Sequence, residues 1–283
     1  MTFKIRQIDL QFSGGGSTVS LKGLRCMALI SNPGGFVSYG QLQLRVYGMT
    51  LAQMNQFSSI GTNLVADQNQ SIIVSAGDEG GAISQVFSGT LMRSYIDFSN
   101  APDVCFVCSG VAGYFDKANA SAPNSYSGST NAEDIISALA TGAGYSFENK
   151  KGAHSVLQNQ YLSGSVIDQM QTVAKAANFP MTVENGIVAI WPNDSTRDDV
   201  VISVSPENGM VGYPTYWEAG FTVTCEFNPQ IINGRQINLT SNIPKANGTW
   251  PIQTVTHELS TLSPDGAWFS TVRLMPSVYV QNN

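Results

Sequence analysis

The two histidines of the chain are the first side chains to test for metal binding or acid–base catalysis. His257-Glu258-Leu259 begins like a zinc-protease motif, which requires a second histidine four residues after the first on a helix. That position holds Thr261, the surrounding residues alternate as in a strand, and the other histidine is the distant His154. The sequence therefore favours a partly buried strand histidine over a zinc ligand.

The four cysteines are the next candidates, because a thiolate can bind metal or act as a nucleophile. Cys105 and Cys108 form a CxxC pair, but no second pair accompanies them, and residues three apart on a strand point to opposite faces. They are therefore predicted to be small buried side chains. The N-terminus lacks the apolar region of a signal peptide, so we expect cytoplasmic folding, in which Cys26 and Cys225 also remain reduced.

Other catalytic patterns are missing from the sequence or have simpler explanations. It contains no GxSxG nucleophile motif and no GxxxxGK[ST] phosphate-binding loop. Asp78-Glu79 lie in a predicted turn, and Glu133-Asp134 fall in the first turn of a predicted helix, where negative charge favours the helix dipole. We predict no catalytic residue, no cofactor-binding residue and no metal ligand, and we expect that the protein is not an enzyme.

The composition narrows the class of protein. Of the 283 residues, 42% are apolar and only 12% are charged, and the net charge is -6. Normal apolar content with few charges argues against disorder, and the acidic balance argues against a basic nucleic-acid binder. No run reaches the ~18 apolar residues of a membrane-spanning helix. We therefore expect a folded protein without membrane association.

The hydrophobic pattern divides the chain into three regions. Alternating apolar and polar residues predict strands through 1–100, with a short helix near 50–59, and again through 199–283. Region 101–198 mixes signals for strands and helices. The predicted fold is mainly β with an α+β insert.

Local signals predict the elements of the middle region. Thr130 and Glu133 match a capping box, which predicts the start of a helix. A second helix is predicted over 165–178, and Asn185-Gly186 predicts a hairpin turn. The polar stretch 119–129 is predicted to be an exposed loop.

The C-terminal third contains turn and strand motifs whose order is more specific than any one of them. These are Gly209-Met210-Val211-Gly212-Tyr213-Pro214, Gly220 with the strand 221–227, Asn228-Pro229, Ile232-Asn233-Gly234-Arg235, Trp250-Pro251-Ile252, His257-Glu258-Leu259 and Asp265-Gly266-Ala267-Trp268. In this order they resemble the baseplate hub proteins of contractile-tailed phages, a group that includes the late-control gene D-type hubs. The middle region is similar to the insert of these hubs, and the first region is similar in texture only.

This resemblance implies two tail-tube-like β-barrel modules, 1–100 and 199–283, flanking a small α+β domain, 101–198. It also implies a homotrimer with pseudo-six-fold symmetry, which joins a hexameric tail tube to a trimeric spike around a central channel. The implied partners are further copies of the chain, the tail tube or tube initiator protein, the central spike and the baseplate wedge proteins. The implied location is the virion tail baseplate, after assembly in the host cytoplasm.

The implied channel and the end of the chain carry further expectations. DNA would pass through the channel without sequence-specific binding, and an acidic lining would repel its phosphates. Because the chain stops soon after its last predicted strand, any spike or lytic activity is expected in a separate protein.

Several residues are expected to matter for architecture rather than for chemistry, because glycine allows left-handed backbone and proline fixes turns. These positions are Gly212, Pro214, Gly220, Pro229 and Gly234. Trp250 and Trp268 are candidate anchors between the last strands and the rest of their module. The sequence equally favours the alternative that both are ordinary core residues.

Three other functions stay open on the sequence. The chain could be a hub-like subunit of a bacterial contractile injection system, which gene neighbourhood would reveal. It could be a glycan-binding or glycan-hydrolysing tail protein, which binding screens and sugar-release assays would reveal. It could also be the adaptor of a long non-contractile tail, which would have no sheath-bearing baseplate.

Overall fold

The computed structural model of the chain describes residues 5–59 and 70–275, which contain three buried apolar clusters. Among these residues, no helix has the length and apolar character that crossing a membrane requires. The last residues of the chain, on which the expectation of a separate spike depends, lie outside the described ranges.

The elements follow one another in the order β, then α+β, then β. The first part contains β1 (Arg6–Gly14), β2 (Ser17–Leu21), β3 (Cys26–Asn32), β4 (Val37–Tyr39), β5 (Gln41–Tyr47), α1 (Leu51–Phe57), β6 (Ser71–Asp78), β7 (Ile83–Asp97) and β8 (Cys105–Val111). The middle part contains α2 (Tyr114–Ala118), β9 (Asn124–Asn131), α3 (Ala132–Gly142), β10 (Ser146–Glu148), β11 (Val156–Leu162), α4 (Val166–Ala177), β12 (Met181–Glu184) and β13 (Ile187–Ile190). The last part contains β14 (Val201–Val204), β15 (Met210–Trp217), β16 (Gly220–Glu226), β17 (Gln236–Leu239), a 3-10 turn (Pro244–Ala246), β18 (Gly248–Thr261) and β19 (Trp268–Leu274).

The first part forms an antiparallel sheet in the order β3-β5-β8-β7-β6-β1-β2. Apolar and polar residues alternate along its strands, as in β5, where Leu42 and Leu44 are buried between exposed residues. Phe12 lies in the core, with its ring 5.3 Å from Phe57 of α1 and 5.7 Å from Phe106 of β8. We call this part the first module.

The middle part, or insert, packs α3 and α4 with a four-stranded sheet of order β10-β13-β12-β4. Asn185 and Gly186 have φ values of 52° and 75°, the left-handed values that a two-residue hairpin turn requires. Strand β4 comes from the first part of the chain and pairs in parallel with β12. The insert is therefore joined to the first module by sheet pairing as well as by chain connections.

Two local predictions for the insert are wrong. The second half of 119–129 is strand, because β9 pairs with β11 in a two-stranded ribbon whose side chains are largely exposed. Helix α3 begins after Asn131 without a side-chain cap, since Glu133 instead hydrogen-bonds His154 and the amide of Ser155. Capping boxes occur at the starts of α1 and α4.

The last part, or last module, forms an antiparallel sheet of order β15-β16-β19-β18, backed by β17 and β14. Its core is mostly aliphatic, and Ile237, Val272 and Leu274 are almost inaccessible. The predicted mainly β fold with an α+β insert is confirmed. The predicted boundaries near residues 100 and 198 stay predictions. Strand β8 follows residue 100 in the chain but pairs with β5 and β7 of the first module.

Candidate functional site: a continuous sheet made from two equivalent units

Both modules use one strand order. In the first module, β3, β5, β7 and β8 are the first to fourth strands of a four-stranded unit, and β15, β16, β18 and β19 are their counterparts in the last module. Across the sheet, both units run first, second, fourth, third, and neighbouring strands are antiparallel. The chain therefore contains the same unit twice.

The third strand of each unit is long and changes its partner midway. β7 has 15 residues and β18 has 14. The first half of β7 pairs with β6 and that of β18 with β17, before register shifts at Leu91/Arg93 and Ile252/Thr254. Because a β-bulge bends its strand, each of these strands can pair with one neighbour before its bulge and with another after it.

The pairing registers match the two units residue by residue. Counting outward from the two bulges, Leu42 of β5 corresponds to Phe221 of β16, and Leu44 corresponds to Val223. All four side chains are buried in the core of their own module. The equivalence therefore extends from strand order to the face that each residue presents.

One strand pairing joins the two units into a single sheet. The second half of β18 pairs antiparallel with β3, from Val255 opposite Asn32 to Thr261 opposite Cys26. The Thr261 hydroxyl donates to the Leu24 carbonyl at 2.8 Å and accepts from the Cys26 amide at 3.2 Å. The third strand of one unit thus pairs with the first strand of the other, and eight strands form one antiparallel sheet.

Among the described residues, no element covers the face of this sheet opposite the cores. It carries a groove of about 780 Å³ that crosses β18, β3, β5, β8 and β7. Its charged side chains are balanced, with Arg45 and Arg93 against Glu258 and Asp265. The net charge of -6 is therefore not concentrated in this groove.

A buried polar network holds the insert against both modules. Arg197, which is 1% exposed, donates through Nε to Glu148 at 2.9 Å and through Nη1 to Glu184. The second oxygen of Glu184 accepts from Asn32 at the end of β3, at 2.8 Å. Burial lowers the pKa of Arg197, but the two carboxylates outweigh it and raise the pKa overall, so the guanidinium stays charged.

Asp198 extends this network into the last module. Arg235 binds its Oδ2 through Nε at 2.9 Å and through Nη2 at 2.8 Å, and Lys150 of the insert approaches the same oxygen at 3.5 Å. Burial raises the pKa of Asp198, but the hydrogen bond from Arg235 contributes to a lower pKa overall. Because a buried charge without its partner is costly, these pairs fix the insert relative to the last module.

The turn before β17 completes this junction. The Asn233 side chain donates to Asn32 at 3.3 Å. Gly234 has a φ of 84°, and a Cβ there would lie 2.9 Å from the Trp191 ring and 3.0 Å from the Cβ of Arg197. Glycine is required at this corner on both grounds.

The structure places His257 on β18, where it is buried as a strand residue. Its Nδ1 lies 2.8 Å from the Ser270 hydroxyl, and its ring meets Phe227 edge to face. Burial lowers the pKa of His257 to about 4, although a backbone hydrogen bond with Ile231 opposes this effect. His257 therefore packs as a neutral core residue at the joint between the units.

The four cysteines are free and buried. Burial raises the pKa of Cys26 and of Cys225 to about 12, and it also raises the pKa of Cys105 and Cys108. Among residues 5–59 and 70–275, no group of three or more His, Cys, Asp or Glu side chains is arranged to hold a metal ion. These thiols pack as apolar side chains.

The other glycines and prolines expected to shape the backbone differ in how closely their surroundings pack against them. A Cβ on Gly220 would lie 2.0 Å from the Leu274 carbonyl oxygen, because β16 and β19 approach closely there. Gly212 has a φ of 72° in open space, and Pro214 is buried within the register shift of β15. Pro229 borders a cavity of about 30 Å³ between the three parts of the chain.

The two candidate anchor tryptophans differ. Trp250 donates to the Ala246 carbonyl at 2.8 Å and packs 5.2 Å from Phe221, within its own module. Trp268 packs into the core of the first module. Only Trp268 of this pair therefore links one module to the other.

The family to which this chain belongs follows from its sequence match. The family model described as baseplate hub gp41 matches residues 38–272. The chain belongs to the baseplate hub gp41 family. This baseplate hub assignment confirms the resemblance drawn from the turn and strand motifs. No curated protein sequence matches the chain.

Solved tail-protein structures have the same fold as this baseplate hub protein. The 43 kDa tail protein of prophage MuSo2 from Shewanella oneidensis is 11% identical with a TM-score of 0.63, and the match covers 97% of this chain and 98% of that one. The tail protein from Neisseria meningitidis MC58 is 10% identical with a TM-score of 0.65, covering 96% of each chain. The E. coli c3393 protein, a component of the type VI secretion system, is 10% identical with a TM-score of 0.59, covering 94% of this chain and 76% of that one.

Proposed function

We propose that this protein is the central hub of a contractile phage tail baseplate and has no enzymatic activity. Three copies form a ring with pseudo-six-fold symmetry, which joins a hexameric tail tube to a trimeric spike around a channel. The ring assembles in the host cytoplasm and also contacts the baseplate wedge proteins. The observation that carries this proposal is the four-stranded unit that occurs twice in the chain.

The repeated unit allows a three-fold ring to imitate a six-fold one. Homo-oligomers usually close with point-group symmetry, so three chains with two equivalent units each supply six similar positions. The insert, by contrast, occurs once per chain and so three times per ring. One assembly can then match a hexameric partner through its units and a trimeric partner elsewhere.

The number of strands also suits a closed ring. Because each chain contributes eight strands, an even number, the strand at one end of its sheet runs antiparallel to the strand at the other end. Copies placed head to tail therefore continue the alternation, and three copies of eight strands supply 24. Closure removes free edges, and barrels of about 16–18 strands already enclose an aqueous channel.

The open face suits the passage of DNA rather than its binding. The arginines and carboxylates of its groove balance each other. A channel lined by this face would therefore have neither a basic stripe nor the acidic lining expected from the net charge. Tight phosphate binding needs clustered Lys and Arg. We infer that DNA passes this surface without strong attraction or repulsion.

Mass measurement of the full chain, alone and together with the tube and spike subunits of the same genome, tests the proposal. The expected complex contains three copies of the 30.3 kDa chain. A complex with two or six copies, or a monomer in the presence of both partners, would contradict it. Sugar release by the same sample would favour the glycan-hydrolysing alternative.

A hub-like subunit of a bacterial contractile injection system is a second candidate, because one of the similar structures is a type VI secretion component. The two candidates share their fold and differ in what the tail delivers. Capsid genes beside the coding gene would support the phage hub, and injection-system genes without capsid genes would support the alternative.

A further inference from the structure

Each end of the eight-stranded sheet has an edge that no other described strand covers. At one end, β15 pairs only with β16, and at the other end the second half of β7 pairs only with β8. Exposed aromatic side chains stand at both ends, with Tyr216 60% exposed and Phe98 56% exposed. Such edges are templates for pairing with another chain.

At each of these two edges, alternate residues point their backbone amide and carbonyl groups away from the sheet. The Ser94 amide and carbonyl point away from β8, since they bond to Ser59 at 3.2 and 2.8 Å. Backbone groups alternate along a strand, so those of Ile96 also point toward the edge. On β15, Trp217 closes a two-residue turn and bonds to β16, so the groups of Tyr216 point toward the other edge.

The pairing of β18 with β3, which joins the two units within the chain, predicts the register of an equivalent pairing between two chains. Within the chain, His257 of β18 lies opposite Ile30 of β3. On the third strands, counting from the bulges matches His257 with Ile96. On the first strands, Ile30 matches Tyr216, because each lies opposite an equivalent residue of the second strand. The same geometry puts Ile96 opposite Tyr216, the two residues whose backbone groups point outward.

We propose that copies of this chain join head to tail by pairing the second half of β7 with β15 of the next copy. In this joint Ile96 lies opposite Tyr216, and Tyr95 lies opposite Trp217. The inference rests on the proposed function and names the surface through which the ring closes.

The side chains at the two edges fit this register. Ile96 packs on the core side of the sheet, and the Tyr216 ring stands 5.0 Å from the buried Phe221 on the same side. Tyr95 and Trp217 meet on the open face, where aromatic cross-strand pairs are stabilising. The indole N–H of Trp217 is buried and has no acceptor among the described residues. In the proposed joint the Tyr95 hydroxyl of the neighbouring copy would be its acceptor.

Cysteine cross-linking of the full chain tests the register. In Tyr95→Cys/Trp217→Cys, the two thiols face each other across the joint at a Cα separation that a disulfide accepts. Oxidation is expected to give covalent dimers and trimers and nothing larger. The native cysteines are buried with raised pKa values, so they contribute little background.

A pair shifted by two residues on the same face, Arg93→Cys/Trp217→Cys, is the matched control. The two residues are then diagonal neighbours, about 7–8 Å apart, which is too far for a disulfide, so this pair should not link. Linkage of this pair in place of the first would overturn the register. Asp97 is unsuitable, because a cysteine there would face Cys105 on β8 within the same chain.

A second variant tests the edge without cysteine chemistry. Tyr216→Pro removes the amide that the joint uses while leaving the bonds from β15 to β16, and it is expected to give a folded monomer. A trimer that persists in this variant, or a trimer in which the Tyr95/Trp217 pair does not link, would overturn the joint and leave the proposed function. A wild-type chain that never forms a trimer, even with its partners, would overturn the function itself.

Discussion

The two β modules share the four-stranded unit, here called the front, and differ in the strands that they add to it. Each front is the same four-stranded unit, in which matching positions such as Leu42 and Phe221 are buried although their residues differ. Behind the front, the first module adds the antiparallel strands β6, β1 and β2, whereas the last module adds β17 and β14, which pair in parallel. Binary patterning is therefore enough to repeat a face, while the layer that supports it can change.

The two cores also differ in size. Of the described residues, the buried cluster of the first module contains 22 and that of the last module contains 13. Leu259 and Trp268 come from strands of the last module but belong to the larger cluster. Because the smaller module shares side chains as well as a sheet with the larger one, we expect the two to unfold together.

The largest expected effect is at Arg197, which pairs with Glu148 and Glu184 at the centre of the network between the insert and the modules. Arg197→Ala leaves Glu148 and Glu184 without their buried partner and should lower the free energy of unfolding by about 3–5 kcal/mol. Urea unfolding of the full chain measures this loss. The control Arg25→Ala breaks a more exposed pair with Asp103 and should cost about 1 kcal/mol or less. Equal losses in both variants would contradict the role of the network.

Matching core substitutions test whether the modules unfold as one. Leu44→Ala should cost about 2–5 kcal/mol, because truncation leaves a cavity. Val223→Ala at the equivalent position removes fewer atoms and should cost about 2 kcal/mol. In calorimetry, both variants are expected to lower the midpoint of one shared transition. Two transitions, each shifted by only one variant, would show that the modules are independent.

Two glycines compare the crowded junction with the free edge. Gly234→Ala places a methyl group against Trp191 and Arg197 at a positive φ, and should cost about 2–4 kcal/mol. Gly212→Ala has a positive φ but open space around it, and should cost about 1 kcal/mol. Thermal unfolding of both variants measures the difference, and a larger loss at Gly212 would contradict the account of the junction.

His257 gives the joint within the chain a pH dependence that its counterpart Ile96 cannot have. Its pKa falls from 6.5 to about 4 on burial, so the unfolded chain binds more protons between these values. Stability should therefore fall as the pH drops through this window, by about 2 kcal/mol between pH 7.5 and 5. Urea unfolding as a function of pH measures this, and His257→Gln should remove the loss. A loss that remains in this variant would assign it to other groups.

Much of the fold could be predicted from the sequence, because burial on one face leaves a period of two. β5 and β16 carry that period, and the helices and the Asn185-Gly186 hairpin carry equally local signals. Strand β9 could not be predicted, since its ribbon is exposed and its Ser and Gly residues show no apolar alternation. The network around Arg197 was also missed, because an arginine beside acidic residues in a polar connector is typical of a solvated surface. Its burial depends on contacts between segments far apart in the chain.

Cryo-electron microscopy of the purified assembly, viewed along its axis, shows whether two equivalent units in each chain build the ring. We expect six similar lobes around a channel at low resolution, which separate at higher resolution into two alternating types, three lobes of each. Six identical lobes, or a ring whose lobes cannot be divided into these pairs, would contradict it.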